Sequence, residues 1–328
     1  MDYIETGKII KVTGGLYTVS LSSGASPLSG CTVGCRARGN FRHEGTKPLV
    51  GDTVTVQYDD SSYSSLPDGT AVPHENAAGL MISEVLPRRN SLIRPPLANL
   101  DVMLVVTAAA SPAPDIPTMD KLLCILAYNH ILPVIIIGKA ELSPSVADEL
   151  YSIYTRAGYP TFILSCKTGE GIDNLEKALP AYIAGKTTAV AGASGVGKST
   201  LLNTVFPSLS LTTGDISTRI ARGKNTTRHT ELYPIPAYGP DTYIADTAGF
   251  SLLDFEHFDF FALEDLFDTF PEFAPYVGQC RYTDCTHLKE EGCAIVNAVK
   301  DGIIPASRHK AYRDLYAILK EKHRWDSK

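Results

Sequence analysis

The feature that most constrains the fold is the segment GASGVGKST at residues 192–200. It fits the pattern GxxxxGKS, follows the strand-like run TTAVA, and precedes LLNTVF, which favours a helix. In a strand–loop–helix context, backbone amides of the loop point at phosphate oxygens and the Lys198 ammonium neutralises their charge, while the Ser199 hydroxyl can ligate Mg²⁺. The segment therefore predicts a phosphate-binding loop. An accidental glycine-rich turn is a poor alternative because both flanks are correct.

A second motif, DTAG, follows the strand-like run TYIA downstream of that loop. Asp246 can hold Mg²⁺ through water, and the Gly249 amide can face a γ-phosphate. Between the two motifs, Thr226 and Thr227 are candidates for a loop that senses the γ-phosphate. Each of these short patterns alone could be an ordinary turn, since Asp, Gly and Thr are common in turns. The predicted catalytic residues are Lys198, Asn225, Thr226, Thr227 and Gly249.

Uninterrupted apolar runs at 102–107, 133–137, 161–164, 187–191 and 242–245 are typical of buried parallel strands. They alternate with segments long enough for helices, which predicts a doubly wound α/β sheet. Ligands of such sheets bind at the carboxyl ends of the strands, so the residues directly after each run are candidates for a binding site.

Two of these strand ends are followed by GKAE and SCK. GTPases read guanine with AsnLysxAsp after one strand and SerAlaLys after another, because a carboxylate accepts from the ring N–H and the exocyclic amine. Both segments precede the phosphate loop, so the domain is predicted to be circularly permuted. The predicted nucleotide-binding residues are Gly138, Lys139, Ala140, Glu141, Ser165, Cys166, Lys167, Gly192, Ala193, Ser194, Gly195, Val196, Gly197, Lys198, Ser199 and Thr200. The predicted magnesium ligands are Ser199, Thr226 and Asp246.

The N-terminal part contains five short strand-like runs, GKIIKV, GLYTVSLS, CTVGCRARG, DTVTVQYDD and GLMISEVL. Turn-forming residues separate them, which predicts a small barrel of the OB type, a fold that often binds RNA. Residues 93–99, IRPPLAN, are predicted to be a linker because Pro95 and Pro96 favour extended backbone and cannot continue a ladder.

The C-terminal part lacks such strand patterns. Its last stretch carries apolar residues with helical i, i+3, i+4, i+7 spacing at Tyr312, Leu315, Tyr316 and Leu319. The segment CRYTDCTHLKEEGC supplies three thiols and one imidazole, from Cys280, Cys285, His287 and Cys293. This set matches a closed tetrahedral structural Zn²⁺ site better than scattered buried cysteines. Cys31 and Cys35 have no such neighbours and are predicted to be small core residues.

Charge and composition limit the kinds of partner that the chain can have. A net charge of -6 argues against indiscriminate coating of nucleic acid. Local basic patches remain at 36–47, with Arg36, Arg38 and Arg42, at 216–230 and at 300–328, although each alone could be solvated surface. No secretion signal is evident and no run reaches about 18 apolar residues, so a cytoplasmic protein is expected. The odd number of cysteines, seven, suits a reducing compartment.

With these three parts in this order, the chain resembles the ribosome small subunit-dependent GTPase A (RsgA) family. The resemblance covers the whole length and is carried by CRARGNFR, PLVGD, NSLIRPPLANLD, GASGVGKSTLLN, GKNTTRHTEL, DTAGF and FPEFAPYVGQCRYTDCTH. It implies a GTPase that is slow alone and stimulated by the small ribosomal subunit, on which it docks late in maturation. It further implies that the barrel and zinc domain hold 16S rRNA, and that hydrolysis times release of a monomeric factor. Phe250 also fits, because family members have an apolar residue where Ras-like proteins place a water-orienting Gln.

The chain departs from the family pattern at three places. GKAE replaces AsnLysxAsp, so Gly138 lacks an amide and Glu141 is one methylene longer, which predicts a weaker guanine preference. Asn225 stands where the family usually has His, with His229 as a rival for that role, and Ala248 replaces a Pro. Two alternatives therefore stay open, an ATP-using P-loop enzyme and an RNA-binding adaptor with a nearly static nucleotide.

The predicted fold is α/β overall. An OB-type β-barrel is expected at residues 1–92, a circularly permuted P-loop GTPase domain with a doubly wound sheet at 93–255, and a mostly helical zinc-binding domain at 256–328. The expected cofactors are one structural Zn²⁺ and the Mg²⁺ that accompanies GTP.

Overall fold

A computed structural model describes residues 2–42, 47–67, 70–74, 79–93, 96–207, 230–246 and 260–326. The chain divides into two compact units. The first contains Met1–Leu100, Ile183–Ala189 and Gly223–Ala248, and the second contains Asp101–Tyr182, Val190–Arg222 and Gly249–Lys328. The predicted domain boundaries at 92/93 and 255/256 stay a prediction.

The N-terminal barrel belongs to the first unit. Its strands are β1 (Asp2–Thr13), β2 (Leu16–Leu21), β3 (Thr32–Ala37), β4 (Thr53–Asp59) and β7 (Met81–Val85), with a side hairpin of β5 (Tyr63–Ser65) and β6 (Ala71–Pro73). Hydrogen bonding closes the ring, because β1 pairs with both β2 and β4, β2 pairs with β3, and β7 pairs with β3 and β4. Strict alternation drives this closure, since every second residue of β4 is buried. The five predicted strands are confirmed.

The segment after the barrel corrects one prediction. Ser91–Leu92 (β8) pairs antiparallel with Leu97–Ala98 (β9), and both residues of β9 are fully buried. The Ala98 amide donates to the Val50 carbonyl at 2.9 Å. The linker predicted for residues 93–99 is therefore wrong for its second half, because the apolar pair at 97–98 packs against the barrel despite the preceding prolines.

The second unit begins with three parallel strands, β10 (Val102–Ala108), β11 (Leu132–Gly138) and β12 (Thr161–Ile163). All seven residues of β10 are buried, as the uninterrupted apolar run predicts. Helices follow the strands as α1 (Ile116–Tyr128), α2 (Pro144–Arg156) and α3 (Ile172–Ile183). The Asp115 side chain caps α1 by accepting from the Thr118 amide at 3.1 Å. The carboxyl ends of β10 and β11 lie side by side, since Ala108 pairs with Gly138.

Three further strands lie at least partly in the first unit. They are β13 (Thr187–Ala191), which lies in that unit as far as Ala189, β14 (Glu231–Pro234) and β15 (Tyr243–Asp246). Strand β15 pairs parallel with β13 and antiparallel with β14. Lys11 of β1 also pairs with Glu231 of β14, so the barrel is joined to these strands at that residue.

Within the described ranges, three further α-helices belong to the second unit, α4 (Lys198–Val205), α5 (Ala294–Lys300) and α6 (Ala306–Asp326). The amphipathic pattern predicted for the last helix is confirmed, because Tyr312, Leu315 and Leu319 are buried. Within the part of the chain that the structure describes, no helix is long and apolar enough to cross a membrane.

Candidate functional site

The phosphate loop has the predicted strand–loop–helix form, between β13 and α4. Gly192 has a φ of 150°, and a Cβ there would lie 2.2 Å from the Val106 carbonyl oxygen, so only glycine fits. Gly197, with a φ of 103°, caps α4. The Lys198 ammonium donates to the carbonyls of Gly192 and Ala193, both at 2.8 Å. This arrangement places a helix N-terminus and a cation together, which suits phosphate oxygens.

Lys139 ties the end of β11 to this loop. Its backbone is left-handed, with a φ of 54°, and its ammonium donates to the Gly195 carbonyl at 2.7 Å and to the Ser111 carbonyl. The sequence predicted Lys139 as a nucleotide-binding residue but did not predict these two carbonyl partners. The GKAE segment and the phosphate loop are therefore joined by a side chain.

Glu141 carries the acceptor that base recognition requires. A hydrogen bond from the buried Ser165 side chain lowers the pKa of Glu141 below its ordinary value, which favours the carboxylate at neutral pH. The Thr168 amide in turn donates to the Ser165 hydroxyl at 3.1 Å. The Glu141 Oε2 atom is shielded from solvent and makes no hydrogen bond to any residue within the described ranges. An unpaired buried acceptor costs free energy, so a hydrogen bond from a ligand N–H to this oxygen would be favourable.

A cavity of about 310 Å³ brings the predicted segments together. Its polar or backbone lining comes from Gly138, Lys139, Glu141, Cys166, Lys167, Gly197 and Thr200. Its apolar lining comes from Val106, Ile136, Leu142, Leu164, Val196 and Leu201. An apolar cavity with a few convergent polar groups is typical of a small-molecule site.

Sequence reasoning missed the apolar wall apart from Val196. The available signal was the strand-end positions of Val106, Ile136 and Leu164. The other predicted nucleotide residues do not line this cavity, and they are Ala140, Ser165, Gly192, Ala193, Ser194, Gly195, Lys198 and Ser199.

The predicted catalytic loops lie largely outside the described residues. This holds for Asn225, Thr226, Thr227, Gly249, and for His229, Ala248 and Phe250. The Asp246 backbone ends β15, and Ser199 is the second residue of α4 and half-buried. The magnesium and catalytic assignments therefore stay predictions.

The predicted metal ligands converge in the second unit. The ligand atoms of Cys280, Cys285, His287 and Cys293 all lie within 4.8 Å of one another. The Cys280 Sγ atom is 3.5 Å from His287 Nδ1 and 3.9 Å from Cys293 Sγ, and Cys293 Sγ is 3.6 Å from His287 Nδ1. A tetrahedral Zn²⁺ with bonds of about 2.0–2.3 Å separates its ligand atoms by about 3.5–3.8 Å. The geometry fits a metal, and the cluster can hold one.

The loop that carries these ligands has its own support, which the sequence did not reveal. The Glu290 carboxylate accepts from the amides of Leu288 and Lys289, at 2.9 and 3.0 Å, and from the Thr286 amide and hydroxyl. These bonds lower the pKa of Glu290 to about 2. Burial also lowers the pKa of His287, which favours the neutral imidazole that a metal requires. The ligand loop is thus held in shape by a carboxylate that is not itself a ligand.

Some residues of the predicted basic patches at 36–47 and 300–328 are exposed and others are buried. Arg36 and Arg38 on the barrel are exposed, and Arg38 donates to Gln57 at 2.7 Å, while the side chain of Arg42 is not described. Arg308, in the basic patch predicted at 300–328, is fully buried between Asp120 and Glu272. Arg308 is therefore neither solvated surface nor a contact for nucleic acid, because two buried carboxylates hold it inside.

Comparison with known proteins accounts for this combination of barrel, phosphate loop and metal cluster. The models of the RsgA GTPase and of the RsgA N-terminal domain match residues 85–256 and 6–65. The small ribosomal subunit biogenesis GTPase RsgA of Agathobacter rectalis is 40% identical over 325 residues, covering 98% of this chain and 100% of the relative. The same-named protein of Bacillus anthracis is 36% identical over 96% of this chain and 98% of its own.

Solved structures give the same result. The crystal structure of YjeQ from Thermotoga maritima matches with a TM-score of 0.72 and 30% identity over 97% of this chain and 99% of that one. YloQ, described as a circularly permuted GTPase, matches with a TM-score of 0.71 and 31% identity over 98% and 96%. In this chain too, the GKAE and SCK segments precede the phosphate loop while sharing one cavity with it. The chain therefore belongs to the RsgA family and is a circularly permuted GTPase.

Proposed function

We propose that this GTPase is a late maturation factor of the small ribosomal subunit, which it binds through 16S rRNA and leaves on GTP hydrolysis. The support is similarity along the whole length to proteins named for biogenesis of that subunit. In this proposal the barrel, residues 1–92, and the zinc-binding part, 256–328, both hold RNA, while the nucleotide domain, 93–255, hydrolyses GTP. The factor acts as a monomer in the cytoplasm, and Arg36, Arg38 and Arg42 contribute phosphate contacts.

The single observation that carries the site assignment is the cavity beside Glu141. Its carboxylate is ionised and keeps one oxygen without a partner among the described residues. Guanine offers a ring N–H and an exocyclic amine to such an oxygen, whereas adenine lacks this donor pair. The base is proposed to lie in the cavity and the phosphates on the loop at 192–200. The full set of proposed contacts is 138–141, 165–167 and 192–200.

Hydrolysis is proposed to depend mainly on positioning. Ser199, Thr226 and Asp246 would hold Mg²⁺, which would neutralise phosphate charge. Lys198 can exchange its two loop carbonyls for phosphate oxygens. Asn225 can orient the attacking water but cannot accept its proton, so turnover should be slow until the subunit contributes to the transition state.

The metal centre is proposed to be a structural Zn²⁺ site. Four protein ligands would complete a tetrahedron around Zn²⁺ and would leave no position for a catalytic water. Zn²⁺ would link the ligand loop to the start of α5, where Cys293 caps the helix by accepting from the Val296 amide at 3.5 Å.

The test is single-turnover hydrolysis of GTP and of ATP, each with and without purified small subunits, mature and immature. GTP should be hydrolysed faster than ATP, and only GTP turnover should rise when subunits are added. Equal use of ATP would refute the guanine assignment. A GTP rate indifferent to both kinds of subunit would refute the ribosomal role and leave the nucleotide site standing.

A further inference from the structure

The barrel strand β1 has two different partners along one edge. Residues Asp2–Lys8 pair with β4 and close the barrel, whereas Lys11 pairs with Glu231 of β14. On the opposite edge, the pairing with β2 shifts register between Ile9 and Lys11. Such a bulge bends a strand and redirects its side chains. Beyond the bulge, Lys11–Thr13 of β1 stay paired with β2 on one edge, while on the other edge Lys11 pairs with β14 instead of β4.

An ion pair fixes this junction. The Lys11 ammonium lies 2.8 Å from Glu231 Oε2 and 3.0 Å from Oε1, with both side chains partly shielded from solvent. The Tyr233 hydroxyl also donates to Glu231 Oε2, at 3.4 Å. Both oxygens of this carboxylate are thus engaged, which restrains its rotamer and the first residue of β14.

Lys8, which precedes Lys11 in β1, makes a second set of contacts. The Lys8 ammonium donates to the Thr187 hydroxyl at 2.8 Å and lies 4.8 Å from the centre of the Tyr243 ring. The Tyr243 hydroxyl donates to Ser20 of β2 at 3.3 Å. The barrel is therefore attached to β13, β14 and β15 by side chains as well as by backbone.

Glu231 lies directly opposite Asp246 in the antiparallel ladder of β14 and β15. Its backbone thus has Lys11 of the barrel on one side and, on the other, the residue proposed to hold Mg²⁺. One strand, β14, separates β1 from Asp246 in this ladder, so a shift of the β1 backbone can be transmitted to Asp246 through backbone hydrogen bonds. A displacement of about 1 Å at a reacting centre can cost about 10²-fold in rate.

We propose that Glu231, held by Lys11, is a positioning residue for hydrolysis: it fixes the backbone at Asp246 and so couples what the barrel binds to Mg²⁺-dependent turnover. The inference rests on the proposed role of Asp246 and, for the partner, on the proposed binding of the small subunit. Neither residue touches the nucleotide in this scheme. The effect should therefore appear in kcat and in the Mg²⁺ requirement rather than in nucleotide affinity.

The experiment compares Lys11→Gln, Glu231→Gln and the charge-swapped double variant Lys11→Glu/Glu231→Lys in the full-length protein. Each single variant should need at least about threefold more Mg²⁺ for half-maximal turnover, and subunit-stimulated kcat should fall about tenfold with little change in KM. GDP affinity measured without Mg²⁺ should not change. The charge swap should recover most of both losses. Asp314→Asn, which breaks an exposed ion pair of the same length, 2.8 Å, should match the parent protein.

Single variants that match the parent in both Mg²⁺ requirement and stimulated kcat would overturn the proposal. So would a charge swap that recovers nothing, because the pair would then not be the acting unit. The Mg²⁺ titration needs no ribosomal particle. If the parent itself is not stimulated by small subunits, the proposed function fails while the Mg²⁺ arm still decides the positioning role.

Discussion

Replacement of Arg308 by Met tests how the C-terminal helix is held to the rest of its unit. The guanidinium is fully buried and donates to Asp120 at 2.8 Å, to Glu272 at 2.6 Å and to the Tyr159 hydroxyl at 3.3 Å. It also lies 4.6 Å from the centre of the Phe270 ring. One side chain of α6 thereby neutralises one carboxylate on α1 and another on a short 3₁₀ helix, Pro271–Tyr276, that precedes the metal loop.

The magnitude follows from what the variant leaves behind. The side chains of Asp120 and Glu272 are only 1% and 3% exposed, so Arg308→Met leaves two carboxylates without their cation and shielded from water. Breaking a buried pair typically costs about 3–5 kcal/mol, and with two acids we expect about 4–5 kcal/mol. A change of this size lowers the melting temperature of a large domain by about 8–20 °C.

The loss should depend on pH in a defined direction. Burial raises the pKa of Asp120, and Arg308 opposes that rise, so removing Arg308 raises the pKa further. A group whose folded pKa is raised stabilises the fold fully below its unfolded value, about 3.9 for Asp, and that contribution is lost as pH rises through the folded value. The variant should therefore be closer to the parent protein at pH ~5.5 than at pH ~7.5.

Thermal unfolding followed by circular dichroism, with Zn²⁺ saturating, measures this loss. Asp314→Asn, on the same helix as Arg308, should cost no more than about 1 kcal/mol, since its partner is exposed. The triple variant Arg308→Met/Asp120→Asn/Glu272→Gln should recover much of the loss because no buried charge remains. A loss below about 1 kcal/mol in Arg308→Met, equal at both pH values, would refute the reasoning.

Three further outcomes are expected. Gly138→Asn should tighten GTP binding about 2- to 10-fold in equilibrium titration, since a new hydrogen bond contributes about 0.5–1.5 kcal/mol and a Cβ there meets its neighbours no closer than 3.5 Å; Gly138→Ala should change nothing. Elemental analysis should find one Zn²⁺ per chain in the parent protein and none in Cys285→Ser, in which hydrogen exchange should increase at 280–293 while GDP binding survives. Asn225→His should raise subunit-stimulated turnover about tenfold and introduce a pH dependence near neutrality, whereas an unchanged rate combined with collapse in His229→Ala would assign that role to His229.

The sequence was sufficient where local chemistry decides the structure. The five barrel strands follow from alternating burial, and β10 follows from an apolar run without polar interruption. The phosphate loop was predictable because the backbone at Gly192 admits no Cβ. The four metal ligands were predictable from spacing alone, since three thiols and an imidazole occupy one short loop.

Contacts between distant segments were not predictable in the same way. Leu97 and Ala98 look like part of a linker until the barrel surface that buries them is known. Arg308 looks like one charge in a basic tail, and its partners lie 36 and 188 residues away in the chain. The ion pair of Lys11 with Glu231 spans 220 residues. Such pairs are set by tertiary packing, which overrides local pattern.

The departure from the family pattern in GKAE affects the phosphate end and the base end of the nucleotide site differently. The family asparagine would brace the phosphate loop, and here Lys139 already holds that loop through the Gly195 carbonyl. Glycine at 138 therefore removes one brace and leaves another in place. The remaining consequence lies at the base. There, a hydrogen bond from the Ser165 side chain holds the Glu141 carboxylate and lowers its pKa. The replacement of the family Asp by Glu141 should consequently loosen nucleotide selection more than phosphate binding, because selection depends on the carboxylate and phosphate binding on the loop.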